Sequence, residues 1–239
     1  MDDELWIGAV RHGQSTANVA AQDAARDGLD LIEIAQREAD VPLSDLGRRQ
    51  AESLGRRMAA LDAELRPDLV LVSPFLRARQ TAELAVGSLG IATRVDERLR
   101  DRDLGVLDLH TAQGIRSLFP EEAERRHHHG KFYYRPPGGE SWTDVALRVR
   151  AVLREVEQDE SGRRVLVVAH DVVVALIRYV LDELDEGALM QHAATDPVSN
   201  ASLSSWVKRG GVWTCEAFND VGHLDADAAA HETTEEAVG

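Results

Sequence analysis

The chain is poor in the residues that staple or tether a protein. A single cysteine, Cys215, occurs in 239 residues, which excludes an internal disulfide framework and any four-cysteine zinc site. Lysine is almost missing, with Lys131 and Lys208 the only two, so basic charge rests on arginine. Even so, 27 basic residues face 42 acidic ones, and the net charge of −15 argues against nucleic acid or an anionic membrane as the main partner. No apolar run approaches a membrane span; the longest, Val172 to Ile177, has six residues. The opening MDDELWIGAV lacks a basic stretch ahead of its apolar run, so no secretory signal is expected and the expected setting is soluble and cytoplasmic. G-x-S-x-G, Gly-Lys-Ser/Thr and H-E-x-x-H patterns do not occur, which removes three common catalytic schemes.

What is present is enough for a core. Apolar residues make up 44% of the chain, a length and composition that fit one large domain or a domain with a small cap. Strand and helix signals alternate. Leu5–Val10, Leu69–Val72 and the VLVVA of Arg164–Ala169 read as buried strands. Leu46, Ala51, Leu54, Met58, Leu61 and Leu65 recur at helical spacing behind a capping Ser44. Leu76 to Leu89, Trp142 to Val156 and Val172 to Leu181 read as further helices, and Trp6, Trp142, Trp206 and Trp213 as core. Near the end, Ser202–Val207 and Val212–Phe218 flank Gly210-Gly211 as a hairpin. Continuous apolar strands between helices predict a three-layer α/β/α sandwich with a mostly parallel sheet. From Glu216 onward there are seven acids and no Lys or Arg, and residues 223–239 are expected to be a disordered acidic tail beyond a 1–222 domain.

Three of these strands end in reactive residues: Arg11-His12-Gly13, Ser73-Pro74 with Arg77 beyond, and His170. In open α/β sheets the binding crevice lies outside the carboxyl ends of the strands. If the three are neighbours, two imidazoles and two guanidiniums meet beside helix N-termini, which describes a phosphate site. A neutral imidazole can attack phosphorus, arginines can supply the positive charge without a metal, and a carboxylic acid of raised pKa must protonate the leaving oxygen.

The stretch Arg11-His12-Gly13-Gln14-Ser15-Thr16-Ala17-Asn18 resembles the opening motif of the histidine phosphatase superfamily, which includes the cofactor-dependent phosphoglycerate mutases. Leu43-Ser44-Asp45-Leu46-Gly47 with Gln50-Ala51, Ser73-Pro74-Phe75-Leu76-Arg77-Ala78-Arg79-Gln80-Thr81-Ala82, Gly138-Gly139-Glu140-Ser141 and Val168-Ala169-His170 are similar to its later motifs, in order. The resemblance spans residues 5 to 220. It implies a phosphoglycerate mutase-like fold, His12 as the phosphorylated nucleophile, and Arg11, Arg77 and His170 as the phosphoryl clamp. Gly13, Ser15 and Asn18 then fall in the phosphate- or substrate-binding segment. The proton donor, usually a Glu, falls on Asp101, one methylene shorter, with Glu97 and Asp103 as fallbacks. Asp171 follows His170 where the mutases have Gly; a carboxylate at that edge of the phosphate pocket is expected to cap the next helix or turn outward. The run from Lys131 to Ser141 also resembles the fructose-2,6-bisphosphatase branch, which makes Lys131, Tyr134 and Arg135 candidates for the leaving-group side.

The expected activity is metal-independent hydrolysis of a small phosphorylated metabolite, a sugar phosphate among the candidates, through phospho-His12 and with no cofactor. The runner-up is a phosphoglycerate mutase, and a catalytically dead phosphoester-binding module is the third reading. A cap is expected from about 19–40 and 104–139. His127-His128-His129 is read as a solvated or pocket-rim turn rather than a metal site, because consecutive residues cannot all face one ion. A homodimer through a sheet edge or the cap is compatible with the sequence.

Overall fold

The computed structural model describes residues 4–160 and 163–224. Its elements are β1 (Leu5–Arg11), α1 (Thr16–Arg26), α2 (Asp45–Ala60), β2 (Leu69–Val72), α3 (Leu76–Val86), β3 (Ala92–Val95), α4 (Ala112–Leu118), α5 (Pro120–His129), α6 (Trp142–Asp159), β4 (Arg164–Ala169), α7 (Asp171–Leu181), α8 (Glu186–Thr195), β5 (Leu203–Arg209) and β6 (Val212–Asp220). The strands form one sheet in the order β3-β2-β4-β1-β5-β6. Strands β3, β2, β4 and β1 run parallel; β5 is antiparallel to β1, and β6 to β5. The β5–β6 turn is Gly210-Gly211, with φ of 57° and 84°, a left-handed pair that side chains resist and that matches the twist of a two-residue hairpin.

The three layers follow from alternation along the strands. Leu5, Ile7 and Ala9 of β1 join Val165 and Val167 of β4 in one core beneath α6 and α7. Trp6 and Val10 turn the other way, with Leu166 and Val168, against α2 and α3. Both faces are covered, which is why these strands are apolar throughout rather than alternating. Each fully buried Val, Leu or Ile contributes about 1.5–3 kcal/mol on transfer from water. Strand β3 escapes sequence reading because its four residues are exposed and lie at the sheet edge; pairing with β2 alone makes it a strand. Two predicted helices are shorter than their periodicity suggests. The first ends at Ala60, leaving Leu65 exposed in a separate 3-10 turn, and the second ends at Val86 before another such turn.

The segments expected to form a cap meet over the carboxyl end of the sheet. Ile32 donates its N–H to Leu109 at 2.8 Å, Thr111 donates its hydroxyl to Leu29 O at 2.7 Å, and Leu31 bridges to His110. At Gly114 an added Cβ would lie 2.0 Å from Asp30 O, so only glycine permits that approach. Of the expected acidic tail, His223 and Leu224 are described, and Leu224 is buried against Ala201. The rest of it, 225–239, lies outside the described residues. Among the described residues, no helix is long and apolar enough to cross a membrane.

Candidate active site

Register brings the strand ends together. Arg11 of β1 pairs with Ala169 of β4, so the next residues, His12 and His170, emerge side by side with ring centroids 5.2 Å apart. Val72 of β2 pairs with Val168, which sets Ser73 beside His170; Ser73 Oγ and His170 Nε2 are 2.8 Å apart. Arg77 comes from the first turn of α3, and Asp101 from the loop after β3. His12, Arg77 and Asp101 line one cavity together with Ser15, Asn18 and Glu38.

His12 is held as a neutral imidazole with one ring nitrogen left as an acceptor. Its Nδ1 lies 2.7 Å from the Gly13 carbonyl, which only accepts, so Nδ1 carries the proton and Nε2 the lone pair. Arg77 Nε donates to that Nε2 at 3.2 Å. Burial, then Arg77, His170 and Arg11, holds the imidazole well below its ordinary pKa, so it is neutral at pH 7. His170 is also pushed down, chiefly by burial and against the pull of Asp101.

The carboxylate of Asp101 stands between Arg77 and His170. Its Oδ2 accepts from Arg77 Nη2 at 2.8 Å and lies 2.9 Å from His170 Nδ1, off the line a hydrogen bond needs. Burial favours its protonation, but His170, Arg77 and His12 outweigh that and hold the carboxyl well below the usual range. Arg77 is a permanent cation, so its grip does not depend on pH, whereas His170 adds to it only when protonated. Asp101 is therefore ionised in the free site, contrary to the raised pKa expected of a donor.

Glu38, which sequence reading missed, reaches the same guanidinium from the cap. Its Oε1 accepts from Arg77 Nη2 at 3.2 Å and its carbonyl accepts from Nη1 at 3.0 Å. Burial, followed by the charge of Asp101, pushes its carboxyl up to about 7 against the counter-pull of Arg77. With 39% of its side chain exposed, Glu38 lines the cavity while staying open to water.

The histidine phosphatase superfamily (branch 1) model matches residues 7–221 of the chain. The chain belongs to this superfamily. It is 28% identical over 233 residues to a probable phosphoglycerate mutase, GpmB, of Yersinia enterocolitica, covering 94% of this chain and 97% of that one. Among solved structures it resembles a mycobacterial glucosyl-3-phosphoglycerate phosphatase, at 28% identity and a TM-score of 0.70, over 90% of this chain and 99% of that one. Bacillus stearothermophilus YhfR is similar at 27% identity and a TM-score of 0.73, over 92% and 100%.

Many of the superfamily motifs turn out to be ties between loops rather than chemistry. Gln50 Oε1 accepts from Gln14 N, Gln80 Oε1 from Leu43 N, and Thr81 Oγ1 from Gly13 N. Glu140 pairs with Arg100 and Arg148, and Arg148 donates to the carbonyls of Arg98 and Asp101, which pins the loop that carries Asp101. Asn200 donates to the His12 carbonyl at 3.1 Å, a contact no motif announces. Ser15 caps α1, and Asn18 Oδ1 accepts from Ser15 N and Oγ, so the remaining capacity of Asn18 in the cavity is its NH2 group. Arg11 is fully buried, with Nη1 donating to Val198 O at 2.6 Å, and does not line the cavity. Gly13 acts by its missing Cβ, which would meet Gly47 O at 2.4 Å.

The residues expected on the leaving-group side are not brought to the cavity. Tyr134 is buried with Leu107 and Ile115, its hydroxyl donating to Glu122 at 2.8 Å. Arg135 is exposed and pairs with Asp144 in the first turn of α6. Lys131 lies over the Trp142 ring and lines a different cavity, with Asp171, Arg178 and His192. The reason is local: an aromatic body fills the cap core, and each cation has a nearer partner than the phosphate site. Asp171 does turn outward as expected, its Oδ1 accepting from Val172 N at 2.7 Å. His127, His128 and His129 are exposed at the end of α5, helical rather than in a turn.

His12, Asp101 and His170 place ligand atoms within 4.8 Å of one another, a spacing that a divalent ion could use. Arg77 does not suit one, because its charge already lies against both His12 Nε2 and Asp101 Oδ2. Arg77 gives this site its permanent cation.

Proposed function

We propose that the protein hydrolyses small phosphomonoesters through a phosphohistidine on His12. The observation that carries this reading is the fixed tautomer of His12, with its Nε2 lone pair beside the Arg77 guanidinium at the cavity wall. The attack forms the Nε2–P bond and breaks the P–O bond of the ester. Arg77 holds the phosphoryl oxygens at the cavity wall, the amide of Asn18 and the N-terminus of α1 add donors, and His170, buried behind them against Ser73, joins only by leaving that contact. Water then breaks the N–P bond, releases inorganic phosphate and restores the imidazole. The chemistry requires no metal and no organic cofactor, and the proposed ligand is the phosphorylated substrate alone.

The relatives called probable phosphoglycerate mutases support the second reading, transfer back to an acceptor hydroxyl. A mutase must bind a carboxylate and exclude water. Among the described lining residues the basic side chains are Arg77 and Arg102, while Glu38, Asp101 and Asp108 are acidic and Ile32, Ile34 and Leu109 apolar. That balance favours hydrolysis. The sugar-phosphate expectation loses its basis, since Tyr134 and Arg135 stand away from the cavity.

The test is rapid quenching with a radiolabelled aryl phosphate. Wild type accumulates an acid-labile, alkali-stable phosphoprotein and releases phosphate in step with the phenol; His12→Ala does neither while remaining folded. Comparable turnover by His12→Ala removes the nucleophile assignment. Label passing to an acceptor hydroxyl rather than to water favours the mutase.

A further inference from the structure

Two carboxyl groups contact one guanidinium in this site, and they differ in position. Asp101 is 6% exposed, held between Arg77 and His170 at the end where the phosphoryl group must sit. Glu38 comes from the 3-10 turn Glu38–Asp40 of the cap, contacts the same Arg77 Nη2 as Asp101, and with 39% of its side chain exposed is the more open of the two in the cavity. A proton donor must stand on the leaving-group side and keep its proton until the P–O bond breaks.

We propose that Glu38, rather than Asp101, gives the proton to the leaving oxygen, and that Asp101 stays ionised as a positioning residue for Arg77 and His170. This rests on the phosphohistidine reading above. In the first half-reaction His12 Nε2 bonds to phosphorus, the ester P–O bond breaks, and the Glu38 carboxyl proton passes to the departing oxygen, leaving an alcohol. In the second, the Glu38 carboxylate takes a proton from water as the oxygen attacks phosphorus, the N–P bond breaks, and phosphate leaves. Protons and charges return to their starting places.

The surroundings supply the division of labour. Glu38 shares its cavity with Arg77 of α3, Asp101 and Arg102 of the loop after β3, and Asp108 of the second cap segment, with Arg37 and Asp40 beside it on its own turn. Burial and the two acids keep its proton on up to about 7, whereas the neighbouring His170, Arg77 and His12 hold the Asp101 carboxyl low against burial. Asp101 is also one methylene shorter than the superfamily's usual Glu, and Arg77 would have to release its carboxylate before it could reach outward. An incoming phosphoryl dianion brings more negative charge near Glu38 and strengthens its hold on the proton.

The experiment compares leaving groups in the full chain. 2,4-Dinitrophenyl phosphate departs without a proton, whereas a simple alkyl phosphate needs one. Glu38→Gln is expected to lose roughly 100-fold or more of kcat on the alkyl ester and under about 10-fold on the dinitrophenyl ester. Its alkaline limb in kcat/KM for the alkyl ester, centred in wild type near the Glu38 ionisation at about 7, should disappear. Asp101→Asn is expected to lose similar factors on both esters, and Glu38→Asp to recover part of the alkyl activity. Equal losses on both esters for Glu38→Gln, or leaving-group selectivity in Asp101→Asn instead, overturns the assignment. Wild type that forms no phosphoprotein at all sinks the hydrolase reading, a separate outcome.

Discussion

Arg77 Nε lies 3.2 Å from His12 Nε2, and the same guanidinium reaches Asp101 Oδ2 at 2.8 Å and Glu38 Oε1 at 3.2 Å. One planar side chain thus orients the nucleophile and both acids. A lysine keeps the charge but cannot present donors in those directions at once. Arg77→Lys should therefore lower kcat/KM on an aryl phosphate by roughly 100- to 1,000-fold, the cost typical of losing a charge-stabilising donor. Steady-state kinetics beside a thermal melt would check it; a loss under tenfold in a folded variant would mean that the phosphoryl group does not rely on this fork.

The ionisation of Glu38 should also appear in stability. Folded Glu38 keeps its proton up to about 7 against an ordinary 4.5, so between those values the folded state binds more protons than the unfolded. Its contribution is therefore full below about 4.5, is lost as pH rises through about 7, and is level beyond. Water reaching the half-open side chain screens part of the effect. Relative to wild type, the Tm of Glu38→Gln should rise from pH 4.5 to pH 8. A difference that does not change with pH would show that the carboxyl ionises as an ordinary one.

Gly47 is where the loop after β1 rests on the start of α2. A Cβ there would lie 1.9 Å from the Gln14 carbonyl oxygen, which is backbone and cannot step aside. Gly47→Ala should cost about 1–3 kcal/mol or more, seen as a Tm lower by roughly 2–4 °C per kcal/mol in a chain of this size. It should also lower kcat, because the displaced loop carries His12. A variant with unchanged Tm and kcat would falsify the tight-contact account.

Metal removal should leave the rate intact. Exhaustive dialysis against EDTA is expected to change neither kcat nor KM, since Arg77 already supplies positive charge against His12 and Asp101. Loss of activity restored by one divalent ion would instead assign the His12–Asp101–His170 trio as its ligands.

Much of the phosphoryl end could be read from the residues in order, because His12, Arg77 and His170 follow strands whose apolar runs are unmistakable. The leaving-group end was not legible. Tyr134 and Arg135 precede the Gly138–Ser141 motif in the chain, but sequence adjacency does not say which way a loop turns, and here Glu122 and Asp144 hold them elsewhere. Glu38 carries no motif or periodicity; a cap segment folds it against an arginine that lies 39 positions later. Asp101 was legible as a position but not as a charge state, which depends on Arg77 of α3 and on His170 just beyond β4.

Residue order by itself determined the mostly parallel sheet, the helices on both faces and the strand-end histidine proposed as nucleophile, because burial periodicity and strand-end motifs are local properties of the chain. Tertiary structure decided which carboxyl is ionised, which cations face the cavity and which only hold loops in place. Those outcomes depend on distances of about 3 Å between groups far apart in sequence, at which electrostatic and hydrogen-bond energies are set.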